Sequence, residues 1–135
     1  RQFPCMKVVL AHGVFDLLHA GHLEHLKQAR AMGDYLMVSV VPDAYVTKRT
    51  PIYSEKERVM LLEALRCVDS VVLCEGPGPE SVIEDWKPDL YVRGIDYMDK
   101  TMPESALLAE LGIPIRYTTS VSPRTTDIIE RIRNG

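Results

Sequence analysis

Five short apolar bursts punctuate the chain, at residues 8–11, 35–41, 70–74, 90–92 and 115–118. Each is nearly free of charge and too short for a buried helix, which predicts strands covered on both faces. The intervals between them carry apolar residues at helical spacing: Leu23, Leu26 and Ala29, then Val59, Leu62 and Leu65, a short stretch over 82–86, and another over 106–111. A closing helix is expected over 127–133. Ser54 with Glu57 three residues later is a capping-box signature, and Gly33 and Gly112 stand where helices commonly stop.

Strands that alternate with helices pair in parallel, because a parallel partner needs a crossover and the helix supplies it. The expected fold class is therefore α/β, a single doubly wound (Rossmann-like) domain on a five-stranded parallel sheet. Ligands in such sheets sit beyond the carboxyl ends of the strands, so the loops to search are 11–21, 42–53, 94–102 and 119–125. No repeat, low-complexity tract or linker argues for a second domain. Met6 is the first candidate initiator, so the domain is read as 6–135, with residues 1–5 set apart as an appended remnant or the tail of a preceding segment.

The net charge of −3 over 135 residues, with no long run of like charge, offers no footprint for nucleic acid or an anionic membrane. Any phosphate binding must be local. No apolar run approaches the ~20 residues that span a bilayer. Cys5, Cys67 and Cys74 are odd in number and show no C-x-x-C spacing, which points to a reducing, cytoplasmic setting.

The densest chemistry lies between the first strand and the first helix, in Gly13-Val14-Phe15-Asp16-Leu17-Leu18-His19-Ala20-Gly21-His22. Gly13 is expected to let the chain turn sharply, and Gly21 to leave the helix start open to a ligand. Free N–H groups and the dipole at that start favour an anion, and His19 and His22 add donors that gain positive charge when protonated. Zinc is a poor fit, since only His12 and His25 remain as further histidines and no cysteine pattern completes a site. Asp16 is expected to brace the loop through backbone hydrogen bonds. Arg58 reads as an exposed helix residue facing Glu55 or Glu63.

Four segments in order, Gly13 to His22, Ala29-Arg30-Ala31-Met32-Gly33-Asp34, Arg93-Gly94-Ile95-Asp96-Tyr97 and Thr125-Thr126-Asp127-Ile128-Ile129, resemble the cytidylyltransferase-like branch of the H-x-G-H nucleotidylyltransferases. The likeness extends over residues 7–132. It includes glycerol-3-phosphate and ethanolamine-phosphate cytidylyltransferases and the adenylyltransferase domain acting on heptose 1-phosphate in lipopolysaccharide precursor synthesis. The resemblance implies attack by an acceptor phosphate oxygen on the α-phosphorus of a nucleoside triphosphate, with release of pyrophosphate. It implies catalytic roles for His19, His22 and Lys48, with Arg49 in reserve. Nucleotide contacts would come from Gly13, Val14, Phe15, Gly21, Arg93, Gly94, Asp96, Thr125 and Thr126, with Tyr97 a candidate to stack on the base. Mg2+ is expected to ride on the triphosphate, held by phosphates and water.

The chain departs from the glycerol phosphate pattern at its carboxyl end, where Thr119 replaces an arginine and Arg124 precedes Thr125. Arg124 is expected to substitute as a phosphate contact through its forked guanidinium. CTP is the first expectation, with ATP and a sugar phosphate such as heptose 1-phosphate as the alternative. A nucleotide-binding module with impaired turnover is the rival from another class. A symmetric homodimer is expected because relatives commonly form one.

Overall fold

The computed structural model describes residues 5–47 and 49–119. In chain order these form β1 (Val8–Gly13), α1 (Ala20–Ala31), β2 (Tyr35–Val40), α2 (Glu55–Glu63), β3 (Ser70–Leu73), α3 (Glu80–Trp86), β4 (Leu90–Gly94), α4 (Ser105–Leu111) and β5 (Ile115–Thr118). Short 3-10 turns at Asp43–Tyr45 and Ile95–Tyr97 follow β2 and β4. The five strands form one sheet in the order β3-β2-β1-β4-β5, and every pairing is parallel. The expected architecture is the one that forms. The helix expected over 127–133 lies outside the described residues, as do Lys48, Arg124, Thr125 and Thr126. Among the described residues no helix is long and apolar enough to cross a membrane.

Alternation along each strand divides the core in two. Val9, Ala11, Leu36, Val38 and Val92 pack with Leu26 and Ala29 of α1 and Leu62 of α2. Leu10, Met37 and Tyr91 point the other way and pack with Val82 and Ile83 of α3 and Leu108 of α4. The same alternation carries His12 and Arg93 onto the α3/α4 face. Burial of each large aliphatic side chain contributes roughly 1.5–3 kcal/mol, which is what makes short strands hold without disulfides; the three cysteines are free.

Register is set at the amino ends of the strands by three aspartates, each immediately preceding a strand. Asp34 accepts from Lys7 N, Asp69 from Leu36 N and Asp89 from Val8 N, at 2.8, 2.7 and 2.8 Å. Each returns its own N–H to the same residue's carbonyl. Gly33 is needed beside this seam, since a Cβ there would lie 2.6 Å from Val9 and 2.7 Å from the Lys7 carbonyl. The carboxyl ends are thus left for chemistry. Strand order reverses between β1 and β4, and the crevice beyond their carboxyl ends is where a doubly wound sheet binds ligand.

Candidate active site

The loop leaving β1 is built differently from its sequence reading. β1 runs through Gly13, and the sharp turn falls on Phe15 and Leu17, whose φ angles of 54° and 52° are left-handed. Such a conformation costs side-chain-bearing residues on the order of 1–3 kcal/mol each and persists where surrounding contacts over-determine it. Gly13 serves instead as a seat for Phe15, because a Cβ would stand 3.0 Å from its ring. Phe15 is buried in the core and sets its edge against the His22 ring at 5.7 Å. It therefore orients a histidine. Val14 offers its carbonyl to Arg58.

His19 is the N-cap of α1, and its Nδ1 accepts from Gly21 N at 3.0 Å. His22 Nδ1 accepts in return from His19 N at 3.3 Å. This is a capping box made of two imidazoles. A backbone N–H can only donate, so both Nδ1 atoms are bare and each neutral ring carries its proton on Nε2. The rings lie 3.9 Å apart, and among the described residues His19 Nε2 is buried without a hydrogen-bond partner. An oriented donor with no acceptor is what an incoming phosphate oxygen requires. The Gly21 N–H is spent on His19.

The charge expected on these histidines is corrected by their surroundings. Burial, then His19 and His25, holds His22 down to about 4, and burial lowers His19 as well. Both are neutral donors at neutral pH. Burial and Arg93 likewise bring His12 down to about 3 and His25 to about 4. Each folded value lies below the 6.5 of an ordinary histidine, so in that window the unfolded chain binds more protons. Stability should be fully present above pH 6.5 and fall as the pH drops toward 4. Thermal melts across this range check the expectation, and a flat melting temperature would contradict it.

Behind the histidines, the loop between β2 and α2 is clamped to the first loop. Asp16 is 1% exposed and accepts from Ile52 N at 2.7 Å, Tyr53 N at 2.9 Å and Arg49 Nη1 at 2.7 Å. The expected backbone brace is present, but it reaches across to a second loop. Arg49 is committed to this ion pair, which removes it as a reserve phosphate contact. Arg58 was placed on an exposed face by its sequence and is in fact fully buried. Its Nη1 donates to the carbonyls of Val14 and Val41, Nε to that of Tyr53, and Nη2 to Asp43 at 2.7 Å. Neither Glu55 nor Glu63 is its partner. The signal was available, since Arg58 lies four residues before buried Leu62 on the stripe that faces the sheet.

On the β4 side, Arg93 Nη1 donates to the His12 carbonyl and the Tyr91 hydroxyl, and its guanidinium lies 3.9 Å over the Tyr97 ring. That stack occupies a face of the aromatic side chain proposed for a base. Gly94 leaves room for Asp96, whose Oδ1 would sit 2.8 Å from an added Cβ. Asp96 is exposed, and its charge reaches His25 of α1, which contacts Thr118 Oγ1 at the end of β5. His19 and His22 thus stand at the start of α1, which follows β1, and Gly94 and Asp96 at the end of the adjacent β4, while Arg93 turns to the α3/α4 face. There it meets His12, Glu80 and Glu104, a group absent from the sequence reading. The loop after β3, Glu75-Gly76-Pro77-Gly78-Pro79, was not among those to search, although the same strand-end rule applies to it.

Comparison with known proteins extends this geometry. The cytidylyltransferase-like family profile matches residues 10–131. The bifunctional protein HldE of Helicobacter pylori (strain Shi470) is 40% identical over 131 residues, covering 94% of this chain and 28% of that protein. The bifunctional protein HldE of Syntrophotalea carbinolica is 38% identical over 130 residues, covering 93% and 26%. The chain therefore spans little more than a quarter of the length of these relatives. Among solved structures, the lipopolysaccharide core biosynthesis protein from Thermoplasma volcanium GSS1 matches with a TM-score of 0.74 and 30% identity, over 87% of this chain and 99% of that one. A pantothenate synthetase from Thermus thermophilus, at TM-score 0.57 and 20% identity over 91% and 58%, shares the fold. The histidine pair at the start of α1 and the profile match over nearly the whole sequence give one conclusion: the chain belongs to the cytidylyltransferase-like family and is a nucleotidyltransferase.

Proposed function

We propose that this domain is an adenylyltransferase that joins ATP to a sugar 1-phosphate of the heptose type, releasing pyrophosphate. The observation that carries the transfer chemistry is the orphaned His19 Nε2 beside His22, two neutral donors side by side at the start of α1. ATP is preferred over the CTP first expected because of the likeness to HldE and to a lipopolysaccharide core biosynthesis protein. The Arg93-Gly94-Ile95-Asp96-Tyr97 segment, which resembles the heptose phosphate enzymes, points the same way.

In this reading an oxygen of the acceptor phosphate forms a bond to the α-phosphorus, and the bond from that phosphorus to the α,β-bridging oxygen breaks. Pyrophosphate leaves with the bridging oxygen. No covalent enzyme intermediate is needed, so catalysis rests on positioning and on donors set where charge develops. The two Nε2–H groups stabilise the α-phosphate oxygens, and the Asp16 clamp holds the loop that precedes them. Mg2+ enters with the triphosphate as part of the substrate and neutralises its charge. Phosphates and water would supply most of its ligands.

Pyrophosphate release decides the reading. Turnover is expected with ATP and a heptose or hexose 1-phosphate, and ATP should raise the melting temperature more than CTP does at equal concentration. Release with CTP and glycerol 3-phosphate, but none with ATP and any sugar phosphate, would overturn it.

A further inference from the structure

On the α3/α4 face of the crevice lies a cavity of about 230 Å³ lined by His12, Gly78, Glu80, Arg93, Tyr97 and Glu104, among others. Drug-sized ligand sites run to roughly 300–1,000 Å³, so this one is too small for a nucleoside triphosphate and suited to a monosaccharide. A larger hollow of about 700 Å³ lies within the loop between β2 and α2 and touches none of the histidines.

The walls of the smaller cavity are largely apolar but carry a few convergent polar groups. Glu104 is 4% exposed and accepts from the Tyr91 hydroxyl, which in turn accepts from Arg93. Arg93 is the one cation among the lining residues, and His12 beside it is held neutral. Glu80 is the exception in this network. Among the described residues its Oε1 is buried with no hydrogen-bond partner, and it folds so closely over Gly78 that a Cβ there would stand only 2.2 Å away. A buried acceptor left unsatisfied carries a desolvation cost that a donating ligand would remove. A carboxylate accepts and does not donate, so the missing partner is a donor, such as a hydroxyl.

We propose that this cavity is the acceptor site, and that Glu80, with Glu104 behind it, selects an acceptor rich in hydroxyl groups. The inference rests on the sugar-phosphate reading above and goes further by naming the residue that reads the sugar. Arg93 offsets one of the two carboxylate charges, while Glu80 Oε1 takes a hydrogen bond from a ring or side-chain hydroxyl and the acceptor's phosphate stays outside, toward the crevice. Acceptor and nucleotide then approach from opposite faces of the sheet and meet at the ends of β1 and β4.

The test compares the parent with Glu80→Ala and Glu80→Gln in steady-state pyrophosphate release, using hexose and heptose 1-phosphates and their monodeoxy analogues. Glu80→Ala should raise the acceptor KM roughly tenfold or more, as loss of a hydrogen bond to a charged group does. The KM for ATP should stay within about twofold, and Glu80→Gln, which keeps an amide oxygen, should recover part of the loss. One deoxy analogue should be a poor acceptor for the parent and lose no further activity in Glu80→Ala. An unchanged acceptor KM in Glu80→Ala, in an enzyme that uses sugar phosphates, would overturn the cavity while leaving the proposed function standing. If the parent used glycerol 3-phosphate and no sugar phosphate, the proposed function would fall. The same comparison run on glycerol 3-phosphate would then still decide the cavity, an unchanged KM overturning it.

Discussion

Replacing His22 or His19 with alanine is expected to lower kcat by roughly 100-fold or more, the usual loss when one preorganised donor to a transition-state oxygen is removed. The two rings also cap α1, so alanine at position 19 should cost about 1 kcal/mol of stability as well. Asparagine separates the two tasks. Its carbonyl oxygen can occupy the place of Nδ1 and accept from Gly21 N, but nothing replaces the Nε2 donor. His19→Asn should therefore melt close to the parent and turn over as slowly as His19→Ala. Pyrophosphate release and thermal melts measured on the same preparations check this. Parental kcat in His19→Asn would remove His19 from the chemistry and leave it as a helix cap.

Arg58→Ala should cause the largest loss of stability among single substitutions around the site, about 3 kcal/mol or more. Three carbonyls would lose their donor, and Asp43 would lose its ion-pair partner. Because Asp43 is 42% exposed, water can take over its side of the pair, which keeps the loss below that of a fully buried pair. At roughly 3–4 °C per kcal/mol for a domain of this size, the melting temperature should fall by about 10 °C. Arg58→Lys should recover little, since an ammonium cannot span four acceptors in the plane of a guanidinium. Urea unfolding of both variants checks the expectation, and a midpoint within error of the parent would show that the carbonyls find other partners. Activity should drop with stability, because Arg58 ties the loop that leads to His19 to the β2–α2 connection.

How the site divides between sequence and structure can be read from these residues. The strands, the helices and the parallel order were legible because apolar bursts and helical spacing are local signals, and a parallel sheet leaves few ways to connect them. The histidine pair was legible for the same reason: both members and the helix they cap lie within one turn of chain. Asp16 was recognisable as a brace because aspartate in a tight loop seeks backbone N–H groups. Its actual partners, Ile52 and Tyr53, lie far along the sequence and came from the fold.

What tertiary structure alone decided was protonation, pairing and facing. No spacing rule indicates that three histidines are buried deeply enough to stay neutral, because desolvation depends on neighbours brought in from other strands and helices. Arg58 read as a solvated charge and Arg49 as a reserve for Lys48 until the crossing of loops surrounded one with carbonyls and set the other on Asp16. Glu80, Arg93 and Glu104 come from three separate segments, and only the alternation of β4 and the crossover through α3 and α4 turns them toward one cavity. The chain's own pattern determined the scaffold and the place of the histidine pair. Which side chains share a wall, and in what charge state, was decided by packing, since those energies arise between residues distant in sequence.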